Sequence, residues 1–295
     1  MEALNRREFV ALAATVPMLT QQAPPGRPFV CIHEISSNGS NFRAAMEGYS
    51  RAGIRAVEVV LAKVREFADR ESRATARRML DDLGLKPVSS SNHAGVVEPN
   101  PGRSKNLDNL KTKCELAQAI GSPQLVTIST TTDKYSEEDY TRAADNLREA
   151  GEIAKGYDVT LMFEFSKYFA LANSLSTGLA LVRAANHPNV RMMMDTWHFW
   201  IGVSKFEDLE LLRDGELAHL HLEDMPANPV RELLEQRHRV LPGEGITPLR
   251  RIVDVLRQKG YAGPASVEVF DPVLQAMDPY QLAMKVRAAV EPILG

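Results

Sequence analysis

Glu164, Asp195, His221 and Glu268 are the residues of this chain best placed to do chemistry. Each lies at or near the end of a short apolar run, VTLMFE, VRMMMD, LAHLHL and ASVEVF, and successive members are about one strand–helix unit apart, with room for a longer loop in the last gap. Three carboxylates and an imidazole at the carboxyl ends of successive parallel strands would converge on one point. Such a set suits a hard divalent cation better than a soft one. A buried carboxylate without a partner is costly or takes up a proton. One shared cation therefore explains the four groups more economically than four separate surface ion pairs.

Side chains alternate across a strand, so the neighbours of these four sort by parity. If His221 points inward, so does His219, one layer deeper, where a hydrogen-bonded core histidine is the expected role. If Asp195 points inward, Met193 does too, with Met192 and Met194 outward. Other polar residues at the same level are His33 and Glu34 after the first strand, Glu58 in the second, Asn92 and His93 after the third, and Lys167 after the fifth. His198, three residues beyond Asp195, could reach a substrate hydroxyl. Trp197, Trp200 and Tyr168 could present flat faces to a sugar ring or pack the long loops together. In the Arg237–Gly245 stretch, Arg239 is read as a substrate contact able to fix a carboxylate, phosphate or hydroxyl; the alternative is a solvated basic patch. His93 is read as a substrate contact at the mouth.

Eight strands are expected to position these groups: 29–33, 55–60, 86–90, 124–129, 159–164, 190–195, 217–222 and 265–270. The segments between them carry helical stripes. Leu107, Leu110, Cys114 and Ala117 form one, ended by Gly121. Ala143, Leu147, Ala150 and Ala154 form another, opened by Ser136 with Asp139 three residues on. Leu249, Ile252, Val253 and Leu256 follow Thr247-Pro248, and Leu282, Val286 and Ala289 follow Asp278-Pro279. Eight near-continuous apolar strands alternating with eight helices predict a closed (β/α)8 barrel in one domain, residues 27–295. An open doubly wound sheet would carry a G-x-G-x-x-G turn after the first strand, where His33–Gly39 stands instead.

The chain has 295 residues, 44% hydrophobic and 25% charged, with net charge −3. That is ample for one barrel, and without a basic stripe it argues against nucleic acid as the main partner. Cys31 and Cys114 read as small core residues rather than a disulfide. Residues 1–26 stand apart. Asn5-Arg6-Arg7-Glu8-Phe9-Val10, then a modest apolar run from Ala11 to Leu19, resembles a twin-arginine export signal. The run is too short to span a bilayer. The expectation is export to the periplasm with no membrane attachment afterwards, and a cytoplasmic protein if the signal does not function.

Phe163-Glu164-Phe165, Met194-Asp195-Thr196-Trp197-His198, His219-Leu220-His221-Leu222-Glu223-Asp224, Leu241-Pro242-Gly243-Glu244-Gly245 and Gly260-Tyr261 leading to Ser266-Val267-Glu268 together resemble the xylose isomerase-like barrel superfamily, in its sugar phosphate isomerase/epimerase branch. The resemblance covers roughly residues 29–294. It implies Glu164, Asp195, His221 and Glu268 as ligands of one Mn²⁺, with Mg²⁺ or Co²⁺ as alternatives, and His198 as a substrate contact. Ketose 3-epimerases of the branch carry a glutamate where this chain has Ala170 and an arginine where it has Ala227, which counts against that subgroup.

The expected activity is metal-dependent isomerisation or epimerisation of a sugar or cyclitol by proton transfer next to a carbonyl, through an enediolate. Glu164 and Glu268 would serve as acid and base. Loss of water from the same intermediate would make the protein a lyase; a non-catalytic exported sugar-binding protein is the third reading. The expected partner is a small sugar or cyclitol, and the sequence leaves room for a homo-oligomer.

Overall fold

Residues 26–132 and 134–295 are described by a computed structural model. The twin-arginine motif lies outside the described residues. Apolar runs form β1 (Phe29–His33), β2 (Ala56–Val60), β3 (Lys86–Ala94), β4 (Gln124–Ile128), β5 (Thr160–Glu164), β6 (Val190–Asp195), β7 (Leu217–His221) and β8 (Pro264–Val267). All pair in parallel in sequence order, and β1 pairs with β8 to close the barrel.

The register sets the level of the polar residues. His33 lies beside Glu58, Ile128 beside Glu164, and Asp195 beside His221. Parity sorts the methionines as the two-residue period requires. Met193 packs with Val126, Met162 and Ala218 in a small inner core, while Met192 and Met194 join the large core between strands and helices.

Among the described residues there are ten α-helices rather than eight. The β2–β3 connection is split into α2 (Leu61–Arg70) and α3 (Arg73–Asp82), because Ser72 starts a new helix by accepting the Thr75 N–H. Short helices α7 (Thr196–Ile201) and α9 (Pro272–Gln275) follow β6 and β8. The others are α1 (Phe42–Arg51), α4 (Arg103–Ile120), α5 (Glu137–Lys155), α6 (Leu175–Ala185), α8 (Leu249–Gln258) and α10 (Pro279–Leu294). The capping box at Ser136 and Asp139 is formed at the start of α5. Gly121 ends α4 at φ 77°, a conformation that favours glycine. Cys31 and Cys114 are buried free thiols.

β3 runs longer than its apolar part, because Ser89–Ser91 continue the ladder before a bulge between Ser90 and His93. β8 stops at Val267, three residues before the end of the apolar run.

Candidate metal centre

His221 organises the site. Its Nε2 lies 2.9 Å from Glu58 Oε2. Nδ1, on the other edge of the ring, is buried without a hydrogen-bond partner. That atom faces Glu268 Oε2 at 3.4 Å, Glu164 Oε1 at 3.7 Å and Asp195 Oδ2 at 3.7 Å. A proton on Nε2, held by a carboxylate, leaves the Nδ1 lone pair free, which is how ligating histidines are oriented. Three carboxylate oxygens around one orphaned nitrogen fit a divalent ion. Glu164, Asp195, His221 and Glu268 are the residues that would hold it.

Asp195 ends β6 and also caps α7, accepting the His198 N–H on Oδ1 at 2.7 Å, so Oδ2 is turned toward His221. Glu164 and Glu268 keep 11% and 13% of their side chains exposed, whereas Asp195 and His221 are buried. The two glutamates are therefore the members of the set that face the opening.

Beneath the cluster, Glu58 Oε2 accepts from His219 Nε2 at 2.8 Å and from Ser266 Oγ at 3.0 Å, as well as from His221. His219 occupies the hydrogen-bonded core position expected of it. His33 Nε2 lies 3.5 Å from Glu58 Oε1 and 3.4 Å from Glu268 Oε1. His33, Glu58 and His221 are close enough to hold a second ion, but His33 spends its one neutral lone pair at Nδ1, which accepts the Ile35 N–H at 2.9 Å. Its Nε2 is then a donor, and the group reads as a hydrogen-bond network.

Burial raises the cost of every charge here, and neighbours decide the outcome. Burial opposes ionisation of Glu58, but His33, His221 and His219 hold it well below the usual carboxylate range. Burial pushes His221 down, but Glu58 and Glu268 outweigh it and hold the imidazole well above its usual value. A ligating imidazole must be neutral, so loading would release that proton. Against burial, His221 and Arg239 bring Glu268 down to about 2, and Arg239 and His198 bring Asp195 well below its usual range. Burial raises Glu164 well above the carboxylate range; His221 opposes that shift, and Asp195 and Glu268 add to it.

Three of the expected substrate contacts lie beside the cluster. Burial lowers His198 to about 4, despite Asp195, so its imidazole is neutral at pH 7. Its Nδ1 is unpartnered and Nε2 lies 3.4 Å from Ser166 Oγ. Arg239 is 1% exposed; it donates from Nη1 to Asp195 Oδ2 at 2.9 Å and Glu268 Oε2 at 2.8 Å. Trp197 is buried among Ile201, Met225 and Leu234, with Arg239 against its ring.

The structure does not bring His93 to the cluster. The β3 bulge pairs His93 with Thr127, whose β5 neighbour Phe163 belongs to the outer core. His93 thus faces outward, toward Asn106 and Lys113 of α4, and burial with the Lys113 charge lowers it to about 4.

Glu223 was not singled out from sequence. It is buried, accepts the Trp197 N–H at 2.9 Å and lies 3.5 Å from Arg239. Extending the inward parity of His219 and His221 by two residues would have found it. Glu58, ranked low, is marked by a lone carboxylate inside the apolar run AVEVV.

A family described as xylose isomerase-like TIM barrel matches residues 47–289. The chain is 31% identical over 174 residues to an inosose isomerase of Halalkalibacterium halodurans, spanning 58% of this chain and 61% of that protein. It is 26% identical over 231 residues to a 3-dehydroshikimate dehydratase of Pseudomonas putida, covering 77% of this chain and 35% of that one. A solved structure described as IOLI protein with a binding zinc atom superposes with TM-score 0.84 at 21% identity, over 90% of this chain and 97% of the other.

Proposed function

This chain belongs to the xylose isomerase-like TIM barrel family, and from that premise we propose that it is a divalent-metal-dependent isomerase or epimerase of a keto-sugar or cyclitol. The observation that carries the reading is the convergence of Glu164, Asp195 and Glu268 on the free Nδ1 of His221. The inosose isomerase relative supports the substrate class. The solved structure with a zinc atom supports a divalent ion; Mn²⁺ is the ion we propose, with Mg²⁺ or Co²⁺ as alternatives.

When bound, the ion supplies Lewis acidity to a carbonyl and its adjacent hydroxyl. The rest falls to the chain. Glu164 and Glu268 face the opening, so a substrate carbon between them meets one carboxyl group on each side. One removes the proton next to the carbonyl and the other returns one to the enediolate. Asp195 is fixed by the His198 N–H and Arg239 and takes no part in proton transfer. Neutral His198 orients a hydroxyl through its free Nδ1.

The test is exchange of solvent deuterium into keto-inositols and ketoses with Mn²⁺-loaded protein. Wild type should label the carbon next to the carbonyl, and Glu268→Gln should lose at least about 100-fold in rate while keeping its fold. Near-wild-type exchange in that variant would overturn the reading. The dehydratase relative favours a second outcome, loss of water from the same enediolate, which product analysis in the same experiment distinguishes. Export through the Arg6-Arg7 motif is proposed alongside; a reporter fused to residues 1–30 that stays in the cytoplasm would overturn it.

A further inference from the structure

We propose that Ser36 is a positioning residue for Glu268: its hydroxyl holds the main chain on both sides of that glutamate and so sets where the carboxylate lies. The inference rests on the metal site proposed above and adds a residue that acts through one of its ligands.

β1 and β8 pair as far as Ile32 and Val267, and β8 ends there, one residue short of Glu268. After His33 the chain leaves the strand for a 3-10 turn, Glu34–Ser37, opened by His33 Nδ1 accepting the Ile35 N–H at 2.9 Å. A longer β1 would have bonded the peptide groups around Glu268 through its backbone. Ser36 does so with one side chain. Its Oγ donates to the Val267 carbonyl and accepts the Val269 N–H, both at 3.0 Å. The hydroxyl has a single proton, so giving it to Val267 leaves its lone pairs for Val269. Ser36 is fully buried.

The two bonds fix the peptide groups on either side of Glu268. Val267 and Val269 pack into the outer core, and alternation directs Glu268 inward between them. The turn is itself held in place. Gln275 Nε2 donates to the Ile35 carbonyl at 3.0 Å and to that of Val269 at 3.4 Å, and the Gln275 carbonyl accepts the Gly39 N–H at 3.0 Å. From the cap of the same turn, His33 Nε2 lies 3.4 Å from Glu268 Oε1, while Oε2 faces His221 Nδ1 at 3.4 Å and accepts from Arg239. Arg239 holds one oxygen of the carboxylate, and Ser36 holds the backbone that carries it. A functional group must stay within about 0.5 Å of its working position, which a strand end without such a bracket does not secure.

The test is a double-mutant cycle on the full chain, read by Mn²⁺ titration of metal-free protein. Ser36→Ala alone should weaken Mn²⁺ binding about tenfold or more, as loss of a group supporting a ligand does. Added to Glu268→Gln it should weaken binding by less than about twofold, because the group it positions is already altered. Added to Glu164→Gln, on a strand that neighbours neither β1 nor β8, it should keep its full effect. A merely structural role would weaken binding equally in all three backgrounds, and that result would overturn the assignment. Amide exchange at Val269 should speed about tenfold or more in Ser36→Ala, and an unchanged rate would also overturn it. If Ser36→Ala does not fold, Ser36→Cys, with its weaker donor and acceptor, takes its place in the same cycle with the same outcomes. The titration needs no substrate. A wild type that binds Mn²⁺ but labels no sugar overturns the activity proposed above, and the cycle still decides this assignment. A wild type that binds no Mn²⁺ overturns both.

Discussion

His221 of β7 and Glu58 of β2, three strands apart around the closed barrel, meet at 2.9 Å through Nε2 and Oε2, and this contact turns Nδ1 toward Glu164, Asp195 and Glu268. Glu58→Gln replaces a carboxylate that accepts from two imidazoles and a hydroxyl with an amide that cannot hold all three. Metal affinity should fall about 10- to 100-fold, the usual loss for a partner of a ligating histidine. Titration of metal-free protein with Mn²⁺ reads it, and an unchanged affinity would show that His221 needs no such partner.

His198 touches the cluster only through its backbone N–H, which caps onto Asp195. Replacing its side chain should leave metal content at the wild-type level while reducing kcat/KM. His198→Ala is expected to cost about 10- to 100-fold, in line with loss of one hydrogen bond to a charged or polarised group. Equal losses of metal and of activity would place His198 among the residues that hold the ion.

Glu34 offers a pH dependence away from the metal ligands. Burial raises it to about 7 from a reference of 4.5, partly offset by the Val60 N–H and Lys63. Because the folded value is above the unfolded one, the protonated form favours folding. That contribution is complete below pH 4.5 and is lost as pH rises through 7. The group should therefore cost the fold about 3 kcal/mol at pH 8 relative to pH 4. Glu34→Gln removes this term, so denaturant titrations should show a flatter pH profile and a variant more stable than wild type at pH 8. A variant less stable than wild type at pH 8 would contradict it.

Asp224 ties the Leu241–Gly245 loop to the end of β7. Oδ1 accepts the N–H groups of Met225 and Thr247, and Oδ2 those of Gly243 and Gly245, at 2.8–3.0 Å. Asp224→Ala strands four backbone donors and should destabilise the protein by roughly 3 kcal/mol or more. Gly245→Ala should also destabilise it, because a Cβ there would sit 2.2 Å from the Met225 carbonyl oxygen. Melting temperatures of the two variants check this; a wild-type Tm for Gly245→Ala would mean that the loop path shifts freely.

Much of the site was legible because two periods are local. The period of two along VRMMMD and LAHLHL sends Asp195 and His221 inward with Met193 and His219, and the same alternation puts Val267 outward beside Glu268. Strand–helix alternation then dictates a barrel, and a parallel barrel brings strand ends to one face. These conclusions need only neighbours in the chain.

What the chain alone left open depends on contacts across the closed barrel. Arg239 reads as a substrate contact, with a solvated basic patch as the alternative. Its burial against Asp195 and Glu268, 44 and 29 residues away, is decided by the path of the loop after β7. Trp197 reads as a sugar platform until Arg239 occupies its face. His93 reads as a substrate contact at the mouth until a bulge, which no residue type announces, turns it to α4. Glu58 looks like one polar residue in an apolar strand, and only closure brings it to His219 and His221, more than 160 residues away. Alternation along a strand is set by steric rules between adjacent residues, whereas the pairing of buried charges is set by which strands lie opposite one another once the sheet has closed.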